Sequence, residues 1–333
     1  MTPLLCVVLA MSLALSPLVD AASDPKISEA AKKEGEMALW TTSDLRQVTR
    51  VVEGFERKYP FIKTKIFRSG SVALFNKMVS ESLAGKHSWD AANFAHEIVQ
   101  PLVERKLLAR YTSREAGMFD EDMKDKDGYW TAIYAQPTVL GYNTRQVKKS
   151  DVPRTYDELL RSHWKGKISI DNQGYDLLNG LNLMWGKERA VDYLRKLAAQ
   201  GPVFRRGHSL RVQLVAAGEY PLLFAYANPI QMAANQGAPI DWVPLEPVPV
   251  GGNVIALATH ARHSNAAKLY IDFVLSRDGQ EILRAQQRTT VRRDVEPDPP
   301  RLIKGYRRVV LQPQRLEQFN ETVKLYNEIF GVP

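Results

Sequence analysis

The sequence predicts an α/β protein built from two lobes that two crossing strands connect. Its 333 residues, of which 44% are hydrophobic and 25% charged, are enough for two domains with a core each. The N-terminal part alternates strand and helix in the order typical of a parallel sheet, and the later part repeats that alternation. Two extended passages, residues 128–144 and 240–257, are placed to run from one lobe to the other.

The first lobe begins with short elements whose ends are marked by glycine, proline or polar residues. A helix that ends at Gly35 precedes a strand, and a helix with one apolar face ends before Pro60. Ser69 and Ser71 are predicted as the N-cap of the next helix. In order, the predicted elements are a helix at 27–34, a strand at 36–40, a helix through 48–55, a strand at 62–67, a helix from 72 and a helix at 98–108.

The passage 128–144 is long for a single strand and contains Pro137, so we expect it to cross between the lobes. The passage 240–257 is the expected return crossing. The elements predicted between the crossings are a helix at 155–164, a strand at 167–171, helices at 187–200 and 209–217 and a strand at 222–226; helices at 266–275, 278–284 and 316–330 complete the chain.

Polar residues follow the predicted strands, at the carboxyl ends where ligands of such sheets lie. Arg68, Arg206 and His208 are the basic residues nearest to those ends, and of the neighbours Arg205 and Arg206 only one is expected to face the cleft. With hydroxyls and helix N-termini they favour an anionic ligand, and tyrosines would contact its organic portion. The candidate ligand-binding residues are Thr42, Ser43, Arg68, Ser69, Gly70, Ser71, Asn93, Tyr134, Asn172, Tyr175, Arg206, His208, Ser209, Tyr226 and Asn228.

Charge and cysteine content exclude several classes of function. The net charge is +8, but the basic residues are scattered without a Lys/Arg block, so nucleic-acid binding is not expected. The single cysteine, Cys6, lies in the apolar run 4–18, which predicts an export signal cleaved after Ala21 or Ala22. The exported chain would then have neither a disulfide nor a thiol nucleophile, and no cofactor is expected.

Blocks of sequence along most of the chain resemble the periplasmic solute-binding proteins of ABC importers, in the iron(III)-binding-like subfamily. The blocks that carry the resemblance are 53–60 with 68–71, 142–144, 164–168, 215–221, 237–242, 265–273 and 276–281. The resemblance implies a type II two-lobe fold, a periplasmic location, a small-molecule ligand in the interlobe cleft, an inner-membrane ABC permease as partner, and a monomer. It further implies a signal peptide at 1–21, lobe 1 at 22–135 and 244–290, lobe 2 at 136–243, and a C-terminal helical segment at 291–333 that packs on the lobes.

The iron ligands of this subfamily match the sequence less well than its other sequence blocks do. Its iron-binding members carry paired tyrosines, a hard oxygen donor suited to Fe(III), where this chain has Asn228-Pro229. Asp44 stands where such members often have a histidine. The alternative to an anionic solute is therefore Fe(III) held without tyrosine, with Asp44, His96, Glu97 and His208 as its ligands.

No catalytic arrangement appears in the sequence. Thiamin-degrading relatives of the fold use a cysteine nucleophile, which the exported chain lacks, and no nucleophile motif or phosphate-binding glycine loop is present. We therefore expect a binding protein and not an enzyme. A ligand-sensing subunit that docks on a membrane sensor kinase shares every one of these features with a transport receptor.

Overall fold

The computed structural model describes residues 24–332, and the predicted export signal at 1–21 lies outside this range. Between Asp24 and Val332, none of the helices combines the length and apolar character that crossing a bilayer requires. The helices are α1 (Pro25–Glu34), α2 (Leu45–Lys58), α3 (Ser71–Leu83), α4 (Val99–Glu104), α5 (Tyr175–Trp185), α6 (Lys187–Ala199), α7 (His208–Ala217), α8 (Ala227–Asn235), α9 (Ser264–Leu275), α10 (Arg277–Ala285) and α11 (Leu316–Phe330).

The strands of both lobes form one continuous hydrogen-bonded sheet in the order β2-β1-β3-β10-β5-β8-β6-β7, with β4 and β11 paired to β10 and β9 paired to β5. Their bounds are β1 (Glu36–Thr41), β2 (Lys63–Arg68), β3 (Ala91–Ala95), β4 (Leu108–Ala109), β5 (Thr131–Asn143), β6 (Ile168–Asp171), β7 (Val203–Arg205), β8 (Leu222–Tyr226), β9 (Ile240–Val243), β10 (Val248–Ala258) and β11 (Arg308–Val310). The α/β class predicted from the sequence is confirmed.

Lobe 1 contains β1 between β2 and β3, with all three strands parallel. Thr41 is the register partner of both Arg68 and Asn93, so the carboxyl ends of β1 and β2 lie beside the middle of β3. The helices α2, α9 and α10 cover one face, where Phe55 packs against Tyr270 and Phe273.

The two crossing strands are β5 and β10, as predicted. They pair antiparallel with each other from Val250–Pro137 to Ile255–Thr131, with an irregularity between Asn253 and Val254. The first half of β5 thus lies in lobe 1, and its second half pairs with β8 and β9 in lobe 2. Lobe 2 continues with β6 parallel to β8, and β7 parallel to β6.

A third connection returns the chain from lobe 1 to lobe 2. After α10, Thr289 bridges to Ala135, and β11 then pairs with β10. The final helix α11 packs on α5 and α6 of lobe 2, and its Tyr326 hydroxyl donates to the Asp171 carbonyl at 2.6 Å.

Several local predictions are wrong. Gly70, not Ser69 or Ser71, is the N-cap of α3, and no side chain bonds to that helix end. Two short 3-10 turns replace the helix predicted at 155–164, and the helix predicted at 98–108 ends at Glu104. The sequence interpretation also missed α5 and α8; Pro229 lies in the first turn of α8, where its missing N–H has no helical partner to lose.

Candidate ligand-binding cleft

The lobe 1 wall of the cleft is a hydrogen-bonded group of side chains from the end of β1 and from the neighbouring strands β3, β5 and β10. The Asn93 amide donates to the Ser43 hydroxyl at 2.9 Å, and that hydroxyl lies 3.2 Å from the Tyr134 hydroxyl. The Asn93 amide also donates to Asn253 Oδ1 at 3.2 Å, and Asn253 reaches Thr42 Oγ1 at 3.4 Å. Four predicted residues, Thr42, Ser43, Asn93 and Tyr134, are therefore neighbours.

Arg288 brings a positive charge to this wall from a distant part of the chain. Its guanidinium lies 4.7 Å from the centre of the Tyr134 ring. The side chain of Asn93 is 4% exposed, and its Oδ1 atom has no hydrogen-bond partner within the described residues. A polar ligand at this wall could therefore donate a hydrogen bond to Asn93 Oδ1 and lie near the charge of Arg288.

Lobe 2 contributes a pocket organised around Asp171, the last residue of β6. One Asp171 carboxylate oxygen accepts from the Gly207 backbone N–H at 3.0 Å and from Arg211 Nη2 at 3.3 Å. Arg211 is fully buried and also donates to the Phe224 carbonyl at 2.5 Å. The pocket is lined by Glu97, Thr138, Ile170, Asp171, Gln173, Gly174, Tyr175, Asp176, Leu177, Asn179, His208, Arg211, Phe224 and Tyr226.

His208 lies in this pocket as a neutral group. Burial and the Arg211 guanidinium lower the pKa of His208 to about 3, against the opposite effect of the Asp171 carboxylate. At neutral pH its imidazole is therefore unprotonated, so His208 offers the predicted site a hydrogen-bonding group and not a cation. It remains a hydrogen-bonding group beside Tyr226, on whose ring it stacks at 3.8 Å.

The floor of the cleft joins the lobes through His96, Glu97 and Asp176. One ligand atom of each lies within 4.8 Å of the others, a spacing that could hold a metal ion. The Gly252 backbone N–H donates to His96 Nδ1 at 3.2 Å, and the Tyr226 hydroxyl donates to Asp176 at 3.1 Å. Burial and the Asp176 carboxylate raise the pKa of Glu97, against the effect of His96.

The metal set predicted from sequence is not assembled as a set. His96 and Glu97 belong to the floor group, but Asp44 and His208 do not. Asp44 is exposed and caps α2, where its carboxylate accepts from the Arg46 backbone N–H at 3.0 Å. Asp176, which the sequence interpretation omitted, takes their place.

The turn between β2 and α3 faces Arg206 across the cleft. Arg206 Nη2 lies 3.9 Å from the point where a Cβ on Gly70 would stand. It also lies close enough to Tyr175 to oppose the effects of burial and Asp171, which raise the pKa of that tyrosine. Arg205 instead donates to the carbonyl of its neighbour Phe204 at 2.8 Å, so Arg206 is the member of the pair that reaches lobe 1.

The remaining predicted residues lie at the cleft edges with fewer contacts. Arg68 is exposed, and its side chain forms no hydrogen bond or ion pair within residues 24–332. Ser69 donates its backbone N–H to the Thr41 carbonyl at 3.0 Å, and Ser209 is exposed at the start of α7. The amide oxygens of Asn172 and Asn228 are buried and have no partner among the described residues.

Several residues of the cleft were missed by the sequence interpretation: Thr138, Asp171, Asp176, Arg211, Asn253 and Arg288. Two of them carried a usable signal, since Asp171 ends a predicted strand and Arg211 lies three positions after His208 on the same helix. Asn253 and Arg288 come from the second crossing and the third connection, and only the tertiary structure brings them to lobe 1 residues.

Comparisons with known proteins agree with this architecture. The family model for bacterial extracellular solute-binding proteins matches residues 92–311. An uncharacterized protein of Haemophilus influenzae is 25% identical over 270 residues, 77% of each chain. The Fe(3+)-binding periplasmic protein of Serratia marcescens is 23% identical over 273 residues, covering 77% of this chain and 78% of that protein.

Solved structures of periplasmic binding proteins share the fold. Iron-bound HitA from Pseudomonas aeruginosa superposes with a TM-score of 0.77 at 19% identity, over 88% of this chain and 99% of that one. AfuA from Actinobacillus pleuropneumoniae, with fructose-6-phosphate bound, superposes with a TM-score of 0.76 at 21% identity, over 90% of this chain and 100% of that one. The two-lobe type II fold expected from the resemblance is thus confirmed. The chain belongs to the family of bacterial extracellular solute-binding proteins.

Proposed function

We propose that this protein is the periplasmic receptor of an ABC importer and captures a small anionic solute, phosphorylated or carboxylated, between its lobes. It acts as a monomer, is exported by its N-terminal signal, and delivers the solute to an inner-membrane permease without altering it chemically. Lobe 1 comprises residues 22–135 and 244–290, lobe 2 residues 136–243, and residues 291–333 pack on the lobes.

The observation that carries the proposal is the position of Arg206. This lobe 2 guanidinium lies against the Gly70 turn of lobe 1, at the N-terminus of α3, which no side chain caps. Arg68 is the last residue of β2, just before this turn, and has no partner among the described residues. The Arg206 guanidinium beside the uncapped N-terminus of α3, with a second cation at the end of β2, favours an anionic ligand group over a neutral one.

The adjoining pocket suits an organic portion with hydroxyl groups. Carboxylates of Asp171 and Asp176 accept hydrogen bonds from hydroxyls, and Tyr226 offers an aromatic face. AfuA, whose structure contains fructose-6-phosphate, has the same fold. A sugar phosphate is therefore the first solute to test.

The test compares the two adjacent arginines by titration calorimetry with fructose 6-phosphate and with inorganic phosphate. We expect Arg206→Ala to weaken binding at least tenfold, because one charged hydrogen bond contributes about 1.5–3 kcal/mol. Arg205→Ala, which removes an equal charge one position away, should change the affinity less than twofold. Equal losses in both variants would refute the anion site, and native mass spectrometry of freshly exported protein would reveal a different co-purified solute.

The group formed by His96, Glu97 and Asp176 supports a second candidate, a protein that binds Fe(III) without tyrosine ligands. One nitrogen and two carboxylate ligands are a plausible partial set for a hard metal ion. Elemental analysis after incubation with ferric citrate tests this candidate. Stoichiometric iron that is lost in Asp176→Asn but kept in Asp44→Asn would support it, and iron-free protein would exclude it.

A further inference from the structure

The two ring nitrogens of His208 have different surroundings. His208 begins α7, lines the lobe 2 pocket and has a side chain that is 27% exposed. Its ring plane is fixed by the Tyr226 ring, which stacks on it at 3.8 Å with an angle of 19°. The stacking fixes the ring plane, and the contacts of each nitrogen decide which one carries the proton.

Nδ1 of His208 is surrounded by donors. Arg211 Nη2 lies 3.2 Å away, and the Tyr226 backbone nitrogen lies 3.4 Å away. A guanidinium group and a backbone N–H donate hydrogen bonds and accept none. Nδ1 must therefore be the acceptor, and a neutral imidazole with an accepting Nδ1 carries its proton on Nε2.

Nε2 of His208, in contrast, has no acceptor within the described residues. The nearest carboxylate oxygen, Asp171 Oδ2, is 4.0 Å away, which is beyond hydrogen-bond distance. That oxygen already accepts from Gly207 at 3.0 Å and from Arg211 at 3.3 Å. The Nε2–H group is thus a free donor in a half-buried side chain that lines the pocket.

We infer that Arg211 and the backbone of Tyr226 hold His208 as the neutral Nε2–H tautomer, which donates a hydrogen bond to an acceptor oxygen of the bound solute. Arg211 acts as a positioning residue, since it is fully buried and anchored to the Phe224 carbonyl. The site then selects solutes that carry an acceptor oxygen at this point. The donor keeps the same protonation state across physiological pH. The solute contact rests on the proposed function, whereas the tautomer does not.

The tautomer is tested on the solute-free protein by long-range proton–nitrogen NMR with labelled histidine. The signals of His208 are identified by their absence from His208→Gln. We expect a protonated Nε2 and an unprotonated Nδ1 that do not change between about pH 5 and pH 8. In Arg211→Gln the guanidinium is lost, and the His208 signals should begin to titrate in that range. Wild-type signals that titrate there, or a protonated Nδ1, would overturn the inference even if the Arg211 variant did not fold.

The solute contact is tested by a matched pair of substitutions. Glutamine places its amide N–H₂ near the position of Nε2, whereas asparagine places its amide near Nδ1 and leaves the Nε2 position empty. With fructose 6-phosphate as probe, we expect His208→Asn to bind roughly tenfold or more weakly than His208→Gln, the effect of one hydrogen bond to a charged acceptor. Equal losses in the two variants would overturn the donor role. Failure of the wild type to bind fructose 6-phosphate or inorganic phosphate would refute a phosphorylated solute, while the NMR result would still decide the tautomer.

Discussion

Single residues set how closely the lobes approach at the floor of the cleft, and Gly251 on β10 is one such residue. A Cβ on Gly251 would stand 2.8 Å from His96 Cε1 and 3.0 Å from Asp176 Oδ2, one group from each lobe. The neighbouring Gly252 is a natural control, because a Cβ there would meet nothing closer than the Tyr134 carbonyl at 3.5 Å. The two glycines lie side by side on one strand but differ in the space around them.

We expect Gly251→Ala to lower the free energy of unfolding by about 1–3 kcal/mol, the usual cost of overpacking a closed site. Gly252→Ala should change it by less than about 0.5 kcal/mol. Urea unfolding monitored by tryptophan fluorescence measures both. Equal stability of Gly251→Ala and Gly252→Ala would mean that His96 and Asp176 move apart with no loss in the free energy of unfolding.

At the scale of elements, α11 supports the cleft from behind although it contributes no residue to the pocket. The Tyr326 hydroxyl donates to the carbonyl of Asp171, and this turn carries the carboxylate that Gly207 and Arg211 contact. A comparable bond lies away from the cleft, where the Tyr306 hydroxyl donates to the Leu302 carbonyl at 2.7 Å.

Tyr326→Phe and Tyr306→Phe should each cost about 1 kcal/mol of stability, because each removes one hydrogen bond to a backbone carbonyl. Only Tyr326→Phe should also weaken solute binding, since it loosens the turn that holds Asp171. Thermal unfolding and calorimetry with fructose 6-phosphate separate the two effects. Unchanged affinity in Tyr326→Phe would show that the turn is held without α11.

At the scale of the whole molecule, lobe 1 is discontinuous in sequence. Its strand β10 lies between β3 and β5, and α9 and α10 complete the core around Phe55. Residues 24–135 alone therefore lack both a central strand and one covering layer. A fragment of 24–135 should be unfolded, with little dispersion in its proton NMR spectrum.

Joining residues 252–285 to that fragment through a flexible linker should restore a folded domain, because it supplies the missing half of β10 with α9 and α10. Far-UV circular dichroism and the dispersion of the proton NMR spectrum compare the folding of the two polypeptides. Cooperative folding of 24–135 without the added segment would contradict this account of lobe 1.

The sequence by itself determined the α/β class, the two crossing strands and the order of most elements. These features depend on local periodicity, on the positions of glycine and proline, and on sequence blocks that resemble the family. All of these can be read along the chain. It also predicted Thr42, Ser43 and Asn93 as ligand-binding residues, since ligands lie at the carboxyl ends of parallel strands, and Tyr134 as a tyrosine that contacts the organic portion of the ligand. The helices α5 and α8 were missed because polar residues and Pro229 at their first turns resemble a loop.

Only the tertiary structure decided the charge and partners of the cleft residues. His208 is a basic residue in the sequence, but burial beside Arg211 makes it a neutral donor. Arg205 and Arg206 are equivalent in the sequence, and the path of β7 sends only Arg206 toward Gly70. Asp176, Asn253 and Arg288 join the cleft through contacts between segments far apart in the chain. Protonation state and side-chain direction depend on three-dimensional neighbours, and no local pattern encodes them.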